Sequence, residues 1–413
     1  MNLKLLKSML GGIFGNILEW YDFAVFGFLT PVLSQLFFPE ENKIVGLILT
    51  FGVFATGYFF RPLGGILFGY IGDNKGRILA LRISILMMAI PTVIIGFMPT
   101  YLNIGILAPI ALVLLRIIQG ISVGGELIGS TSYLVEIAPK NQKGLFGSFT
   151  LFSAIGGLLF GSIIVTILNS YLTQTQMIEW GWRIPFIIGI FIFAIGVWLR
   201  HHMSESEEFL EYQKNSREKT KLTDLLKSVP YEIIQLFAII CVATVSSYML
   251  FVWMPTFLEK IVNPPVKNAL LITDLVMIMV LITIPIAGHL SDKYGTKKII
   301  MYSTIAMGIL AYPLLLMSQQ NNFATVLSAQ LIFAVLAGFI QGPLPALMAS
   351  LFPIKYRYTG MAIGYNSATA IIGGTTPMVA TMLIHKTGNL NAPAFYLILA
   401  AVVSLIALLK INK

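Results

Sequence analysis

Charged side chains are scarce in this sequence. Only 11% of its 413 residues are Asp, Glu, Lys or Arg, whereas 57% are hydrophobic. Soluble globular domains carry about 25% charged residues, so this composition excludes a soluble protein. The single cysteine, Cys241, excludes both an intramolecular disulfide and a cysteine-based metal site. We therefore expect a membrane protein without a bound metal.

Energy-converting and catalytic motifs are also lacking. The sequence contains no G-x-x-x-x-G-K-[ST] loop for a nucleoside triphosphate and no H-E-x-x-H zinc motif. Its cysteine and four histidines do not form a cluster with the spacing of metal ligands. We therefore expect neither an ATP-driven pump nor an enzyme within the membrane, and we expect no cofactor.

Long apolar runs alternate with short polar connections along most of the chain. A helix needs about 20 residues to cross a bilayer, and the runs on either side of the only long hydrophilic segment, residues 203–230, divide into six and six. The sequence thus predicts an all-α membrane protein with twelve transmembrane helices, in bundles over residues 1–202 and 231–413 that the linker 203–230 joins. The expected spans are residues 13–37, 44–71, 79–99, 104–137, 145–170, 183–202, 231–258, 267–291, 297–318, 322–352, 358–384 and 391–411.

The basic residues indicate which side of the membrane each connection faces. When the N-terminus is placed in the cytoplasm, few of the 27 Lys and Arg residues fall in outer connections. Those that do are Lys43, Lys260, Lys267 and Lys386. Because cytoplasmic loops carry the excess of Lys and Arg, we expect both termini and the linker to be cytoplasmic. The net charge of +9 then reflects membrane orientation and does not indicate nucleic-acid binding.

An internal repeat relates the two halves of the chain. The segments GYIGDNKGR (69–77) and GHLSDKYGT (288–296) each follow the second span of their half. The matching residues are Gly69 and Gly288, Asp73 and Asp292, and Gly76 and Gly295. Two such repeats in the same orientation are related by a pseudo-twofold axis along the membrane normal. We expect these residues, together with Arg77, to act in gating at the cytoplasmic side.

Charged residues within the predicted spans are concentrated in the first half. Glu19 and Asp22 lie one helical turn apart in the stretch GNILEWYDF. Ionisable residues at membrane depth are costly and commonly belong to ion or proton pathways. We expect Asp22 first, Glu19 second and also Glu126 to be the proton-coupling carboxylates, and Arg116 to be the partner of Asp22 or Glu19. The alternative is a structural ion pair that holds helices together, above all for Arg61 and Glu126.

Four segments carry a resemblance to a known family: GNILEWYDFAVFGFL, RPLGGILFGYIGD, QGISVGGE and EWGWRIPF. Together with the G-x-x-x-D-x-x-G-R pattern after the second span, they resemble the major facilitator superfamily and, within it, the metabolite:proton symporter family. The resemblance covers nearly the whole chain. It implies the major facilitator fold, a bacterial cytoplasmic (inner) membrane, and uptake of a solute with protons by alternating access. We expect a monomer whose partners are lipid, solute and protons, with no nucleic acid.

Residues 248–258 and 344–377 are most similar to the proline and glycine betaine transporters of that family. A zwitterion needs a cation for its carboxylate, and aromatic rings suit a quaternary ammonium. A dicarboxylate would need two or more cations, and the Lys and Arg residues of the second half lie outside its predicted spans or within a few residues of their ends. We therefore expect proline or glycine betaine; an organic acid such as 2-oxoglutarate or citrate is the alternative, and a membrane sensor that does not transport is the remote one. The expected solute-binding residues are Arg116, Trp20, Tyr21, Phe23, Arg61, Gln119, Tyr248, Trp253, Tyr365 and Asn366.

Overall fold

The regular secondary structure of the described residues is entirely helical. The structure is a computed structural model, and its helices alternate with short connections. The described residues are 3–39, 49, 50, 52, 53, 56–215, 222–266, 269–320 and 322–411.

The long helices of the first half begin and end close to the apolar runs of the sequence. They are α1 (Leu3–Phe37), α2 (Arg61–Lys75), α3 (Arg77–Phe97), α4 (Leu107–Ile137), α5 (Lys143–Tyr171) and α6 (Arg183–His201). Two short helices, Glu207–Asn215 and Leu222–Ser228, follow in the hydrophilic segment.

The long helices of the second half contain several widened turns. They are α7 (Pro230–Glu259), α8 (Ala269–Tyr294), α9 (Thr296–Met317), α10 (Phe323–Leu351), α11 (Ile354–Thr387) and α12 (Ala392–Leu409). π-Helical turns occur at Met249–Trp253 in α7 and at Thr369–Gly373 in α11, and a third, Phe257–Ile261, overlaps the end of α7 and extends past it. Such turns are frequent at functional sites.

Eleven of the described helices are long and apolar enough to cross a membrane. They correspond to every predicted span except the second, 44–71. That span includes residues 44–48, 51, 54 and 55, which lie outside the described residues. Its described part continues into α2.

The contacts divide the chain into two compact units. The first unit comprises Met1–Ile137 and Ser153–Thr220, and the second comprises Ala138–Phe152 and Lys221–Lys413. The start of α5 therefore groups with the second unit and the rest of α5 with the first.

Equivalent helix pairs pack together in both units. Each helix of the first unit corresponds to the helix of the second unit whose number is higher by six. In the first unit α3 packs on α4 and α6, and in the second α9 packs on α10 and α12. Likewise α2 contacts α4 as α8 contacts α10, and α1 contacts α6 as α7 contacts α12. The repeat detected in two loop sequences thus extends to the packing of the helices.

Glycines bring α2 and α4 of the first unit into close contact. A Cβ atom on Gly64 would collide with the backbone of Ile121, and one on Gly124 would collide with the backbone of Arg61. Small residues allow this approach within a membrane, where helices associate through van der Waals packing and interhelical hydrogen bonds. The contact fixes Arg61 on α2 and Arg116 on α4 near the carboxylates of α1.

Candidate functional site

Asp22 lies at the centre of a buried hydrogen-bond network in the first unit. Its carboxylate accepts hydrogen bonds from Arg116 Nη1 at 2.5 Å and from Gln119 Nε2 at 3.0 Å. Thr92 on α3 donates to the same carboxylate at 2.8 Å. None of the four side chains is more than 1% exposed. A buried carboxylate needs both a counter-charge and hydrogen-bond donors, and this network supplies both.

Glu19 pairs with Arg61 and not with Arg116. Its Oε1 lies 3.3 Å from Arg61 Nη2, while its buried Oε2 accepts no hydrogen bond. The distance is longer than the 2.5 Å between Arg116 and Asp22. Each carboxylate of α1 therefore pairs with a different arginine, and the nitrogen–oxygen distance is longer in the Glu19–Arg61 pair.

Three aromatic rings surround the guanidinium of Arg61. The centroid of the Tyr58 ring lies 4.6 Å from Arg61 Cζ, and those of Trp20 and Phe23 lie 5.3 Å from it. Phe23 also lies 5.0 Å from Arg116 Cζ, so its ring is in range of both arginines. Aromatic faces attract cations. We refer to Trp20, Phe23 and Tyr58 as the aromatic cage.

Glu126 forms a third buried ion pair, with Arg200 at the end of α6. Ser84 donates to the Glu126 carboxylate, and Arg200 also donates to the carbonyl of Leu81. A Cβ atom on Gly15 would collide with this pair, so α1 has room for it only because residue 15 is glycine. Arg200 is 1% exposed, although its place beside the hydrophilic segment predicts a residue at the cytoplasmic edge.

Two members of these networks, Thr92 and Tyr58, carry little signal in the sequence. Thr92 is a single threonine in an apolar run, a common occurrence in transmembrane helices. Tyr58 lies three residues before Arg61, on the same helical face, and that spacing is the one sign that could have pointed to it.

Tyr21 contacts other helices of the first unit. Its hydroxyl donates to the carbonyl of Pro185 at 2.7 Å, and its ring lies 5.5 Å from that of Phe160. The side chain is fully buried. A role for Tyr21 in binding solute stays a prediction.

Four candidate residues of the second unit lie in α7 and α11. The indole N–H of Trp253 donates to Thr381 at 3.2 Å, and Gly373 in the widened turn of α11 lies against Tyr248. The other two are Tyr365, which is half-buried, and Asn366, which is buried. These four also remain predicted solute contacts.

The loop between α2 and α3 contains a network around Arg77. The Arg77 guanidinium bonds to Asp73 at 2.8 Å and to Glu136 at 3.2 Å. Gly76, which connects the two helices, has φ = 111°, a conformation that L-residues with a side chain rarely adopt. Gly69 is buried one turn before Asp73 in α2. The first copy of the repeat therefore holds its aspartate with an arginine.

The hydrophilic segment after α6 contacts this loop through hydrogen bonds and an aromatic ring. Ser206 donates to Glu136 at 2.9 Å, and the Glu205 carboxylate accepts a hydrogen bond from the backbone N–H of Ile78 at 3.2 Å. The ring of Phe209 lies 4.7 Å from Arg77 Cζ. Burial raises the pKa of Glu205 above its usual value, and the hydrogen bond from Ile78 opposes this effect.

The second copy of the repeat stabilises its aspartate differently. Asp292 accepts hydrogen bonds from the backbone N–H groups of Gly144 at 2.6 Å and Leu145 at 2.9 Å. These residues open α5, so the carboxylate lies at the positive end of a helix dipole. Gly295 has φ = 98°, like Gly76, and Gly288 packs against the carbonyl of Gly144.

Among the described residues, no group of three or more His, Cys, Asp and Glu side chains is arranged to hold a metal ion. The residues of the candidate site supply ion pairs, hydrogen bonds and aromatic faces. Such a site can bind a charged solute and exchange protons.

Comparison with known proteins agrees with a membrane carrier. The chain is 32% identical over 413 residues to the "Proline/betaine transporter" of Escherichia coli (strain K12), covering 98% of this chain and 82% of that protein. It is also 32% identical to the "Putative proline/betaine transporter" of Staphylococcus aureus (strain MSSA476), with 98% and 88% covered. The solved structure of the proton:xylose symporter XylE superposes with a TM-score of 0.83 at 20% identity, covering 98% of this chain and 94% of that one.

The fold and its relatives define the protein as a multi-pass membrane transporter. The sequence model of the Major Facilitator Superfamily matches residues 12–363 and 262–412, and the chain belongs to this superfamily. The predicted fold class and family are confirmed, as is the prediction of a transporter and not an enzyme.

Proposed function

We propose that this protein carries a small zwitterion, proline or glycine betaine, into the cell together with protons. The observation that carries the proposal is the set of fully buried carboxylate–arginine pairs on α1, Asp22 with Arg116 and Glu19 with Arg61. Two carboxylates and two guanidiniums at one site match the opposite charges of a zwitterion. The names of the relatives support the same class of solute.

Asp22 is the proposed proton carrier, with Glu19 and Glu126 as the other coupling carboxylates. A carboxylate beside an arginine changes its affinity for a proton when the arginine moves away. When Arg116 turns to the carboxylate of the solute, Asp22 loses its counter-charge and takes up a proton. When that proton leaves on the other side, Arg116 returns to Asp22 and the solute is released. Gln119, which donates to Asp22, orients the carboxylate in the unloaded state.

Transport by alternating access requires two bundles that move as bodies. We assign them to residues 1–202 and 231–413, joined by the linker 203–230, with both termini in the cytoplasm of a bacterial cell and the protein acting as a monomer in the inner membrane. The repeated glycine and aspartate loops supply the proposed cytoplasmic gate. The gating residues are Gly69, Asp73, Gly76, Arg77, Gly288, Asp292 and Gly295.

Uptake into proteoliposomes tests the proposal. Purified protein is reconstituted, and the outside of the vesicles is made more acidic than the inside. The accumulation of labelled proline, glycine betaine, 2-oxoglutarate and citrate is then measured. We expect proline or glycine betaine to accumulate against its gradient, and a protonophore to abolish that accumulation. Accumulation that survives the protonophore would contradict proton coupling, and accumulation of an organic acid alone would contradict the zwitterion.

A further inference from the structure

The aromatic cage encloses a cation that belongs to the protein itself. Trp20, Phe23 and Tyr58 place three ring faces within 5.3 Å of the guanidinium carbon of Arg61. Such an arrangement of faces also suits an alkylated ammonium group, since the attraction depends on charge and not on hydrogen bonds. Arg61 thus occupies a place in which a substituted nitrogen cation would also fit.

The contact between Arg61 and Glu19 is a long one. Arg61 Nη2 lies 3.3 Å from Glu19 Oε1, farther than the roughly 2.7–2.9 Å of a strong charge-assisted hydrogen bond. Glu19 Oε2 is buried and accepts no hydrogen bond, so one lone-pair face of the carboxylate is open to a further donor or cation. Trp20 and Tyr58 are half-buried.

We propose that the solute's nitrogen binds in the cage of Trp20, Phe23 and Tyr58 beside Glu19, and that Arg61 is the tethered occupant of this site in the unloaded protein. The inference rests on the proposed function, because it names where the cationic end of the transported zwitterion binds. It adds Tyr58 to the binding site and gives Arg61 the role of an internal competitor.

Exchange of Arg61 for the solute keeps the charges paired. The solute's nitrogen replaces the guanidinium as the counter-ion of Glu19, and the displaced Arg61 joins Arg116 at the solute's carboxylate. A dicarboxylate could attract Arg61 but would leave Glu19 without a counter-charge, which is costly at membrane depth. The site therefore favours a zwitterion, because only a solute with a positive group leaves Glu19 with a counter-charge after binding.

Matched substitutions of Trp20 test the cage. Solute counterflow in proteoliposomes without a pH gradient gives the KM for glycine betaine independently of proton coupling. Trp20→Leu removes the aromatic face and keeps an apolar side chain, and we expect its KM to rise about tenfold, within the range of a desolvated cation–π contact. Trp20→Phe keeps a face, and its KM should stay within about threefold of the wild type.

Two further variants separate the cage from general damage. Trp198→Leu changes a tryptophan that is 55% exposed on α6, and its KM should equal that of the wild type. If Trp20→Leu does not fold, as judged by size-exclusion chromatography, the pair Tyr58→Leu and Tyr58→Phe replaces it with the same expected contrast. Glu19→Gln should raise the KM for proline and for glycine betaine, because the counter-ion of the nitrogen is removed.

The outcomes distinguish this inference from the proposed function. If the wild type exchanges glycine betaine and the leucine and phenylalanine variants have the same KM, the cage does not bind the solute and the inference is overturned while the function stands. If the wild type exchanges neither glycine betaine nor proline, the proposed function fails, and the inference fails with it. A rise in KM confined to the leucine variants supports both.

Discussion

The two units share one scheme of helix packing but have different interiors. Among the described residues, the buried charged side chains of the first unit are Glu19, Asp22, Arg61, Asp73, Arg77, Arg116, Glu126, Glu136 and Arg200, and the second unit buries only Arg357. The second unit thus forms the same helix contacts with a nearly uncharged core. Buried charge is therefore not a requirement of these helix contacts.

In the second unit, neutral hydrogen bonds join helices, as ion pairs do in the first unit. Gln330 on α10 donates to Ser318 at 2.6 Å, and Gln235 on α7 donates to the carbonyl of Ala407 on α12 at 3.0 Å. Such bonds join helices without the large desolvation cost of a buried ion. The Gln and Ser side chains of these bonds also do not change charge, so they cannot carry a proton.

The largest expected effect on stability follows from breaking an ion pair of the first unit. Arg200→Met leaves Glu126 buried without its counter-charge, and we expect a loss of about 3–5 kcal/mol of unfolding free energy. Denaturant unfolding of the purified protein in detergent measures it. The double variant Glu126→Met with Arg200→Met should recover most of the loss, because no unpaired charge remains.

The double variant also separates the two interpretations of Glu126. If it folds and still accumulates solute, the Glu126–Arg200 pair is structural. If it folds and exchanges solute but no longer accumulates it, Glu126 takes part in proton coupling. A single Arg200→Met variant as stable as the wild type would contradict the ion pair itself.

A smaller effect is expected from the matching change in the second unit. Gln330→Met removes the hydrogen bond to Ser318, whose own hydroxyl still donates to the carbonyl of Leu314 at 2.7 Å. We expect a loss of about 1 kcal/mol, measured by the same unfolding experiment. A loss as large as that of Arg200→Met would erase the contrast between the two interiors.

The smallest expected effect on stability concerns Glu205, in the hydrophilic segment that contacts the loop of Arg77. The raised pKa of Glu205 means that the folded state holds its proton to a higher pH than the unfolded chain, whose glutamates titrate near pH 4.3. Stability is therefore expected to fall as pH rises from about 4.3 to the raised pKa. In Glu205→Gln this part of the pH dependence should be absent. The unfolding free energies of variant and wild type should then differ by less than about 1 kcal/mol over this pH range. Identical stability–pH curves for variant and wild type would contradict it. The charged groups nearby are Arg77 and Glu136.

The sequence predicts the fold well because the membrane restricts it. Apolar runs of span length and the excess of basic residues in alternate connections report directly on the bilayer, and eleven of the predicted spans are helices of sufficient length. Ion-pair partners are harder to predict because they depend on how helices pack. Arg116 was expected for Asp22 or Glu19, and only the packing of α2 against α4 shows that Glu19 pairs with Arg61. Arg200 lies so close to the hydrophilic segment that its burial has no sign in the sequence.

Asp22 is the buried carboxylate of the first unit that we propose to couple solute transport to protons, and the Asp22→Asn variant tests this role. Proteoliposomes containing a trapped pH indicator are given external proline or glycine betaine, and internal acidification is recorded together with solute counterflow. For the wild type we predict acidification and counterflow. For Asp22→Asn we predict counterflow without acidification. Solute-driven acidification by Asp22→Asn equal to that of the wild type would show that Asp22 does not carry the coupled proton.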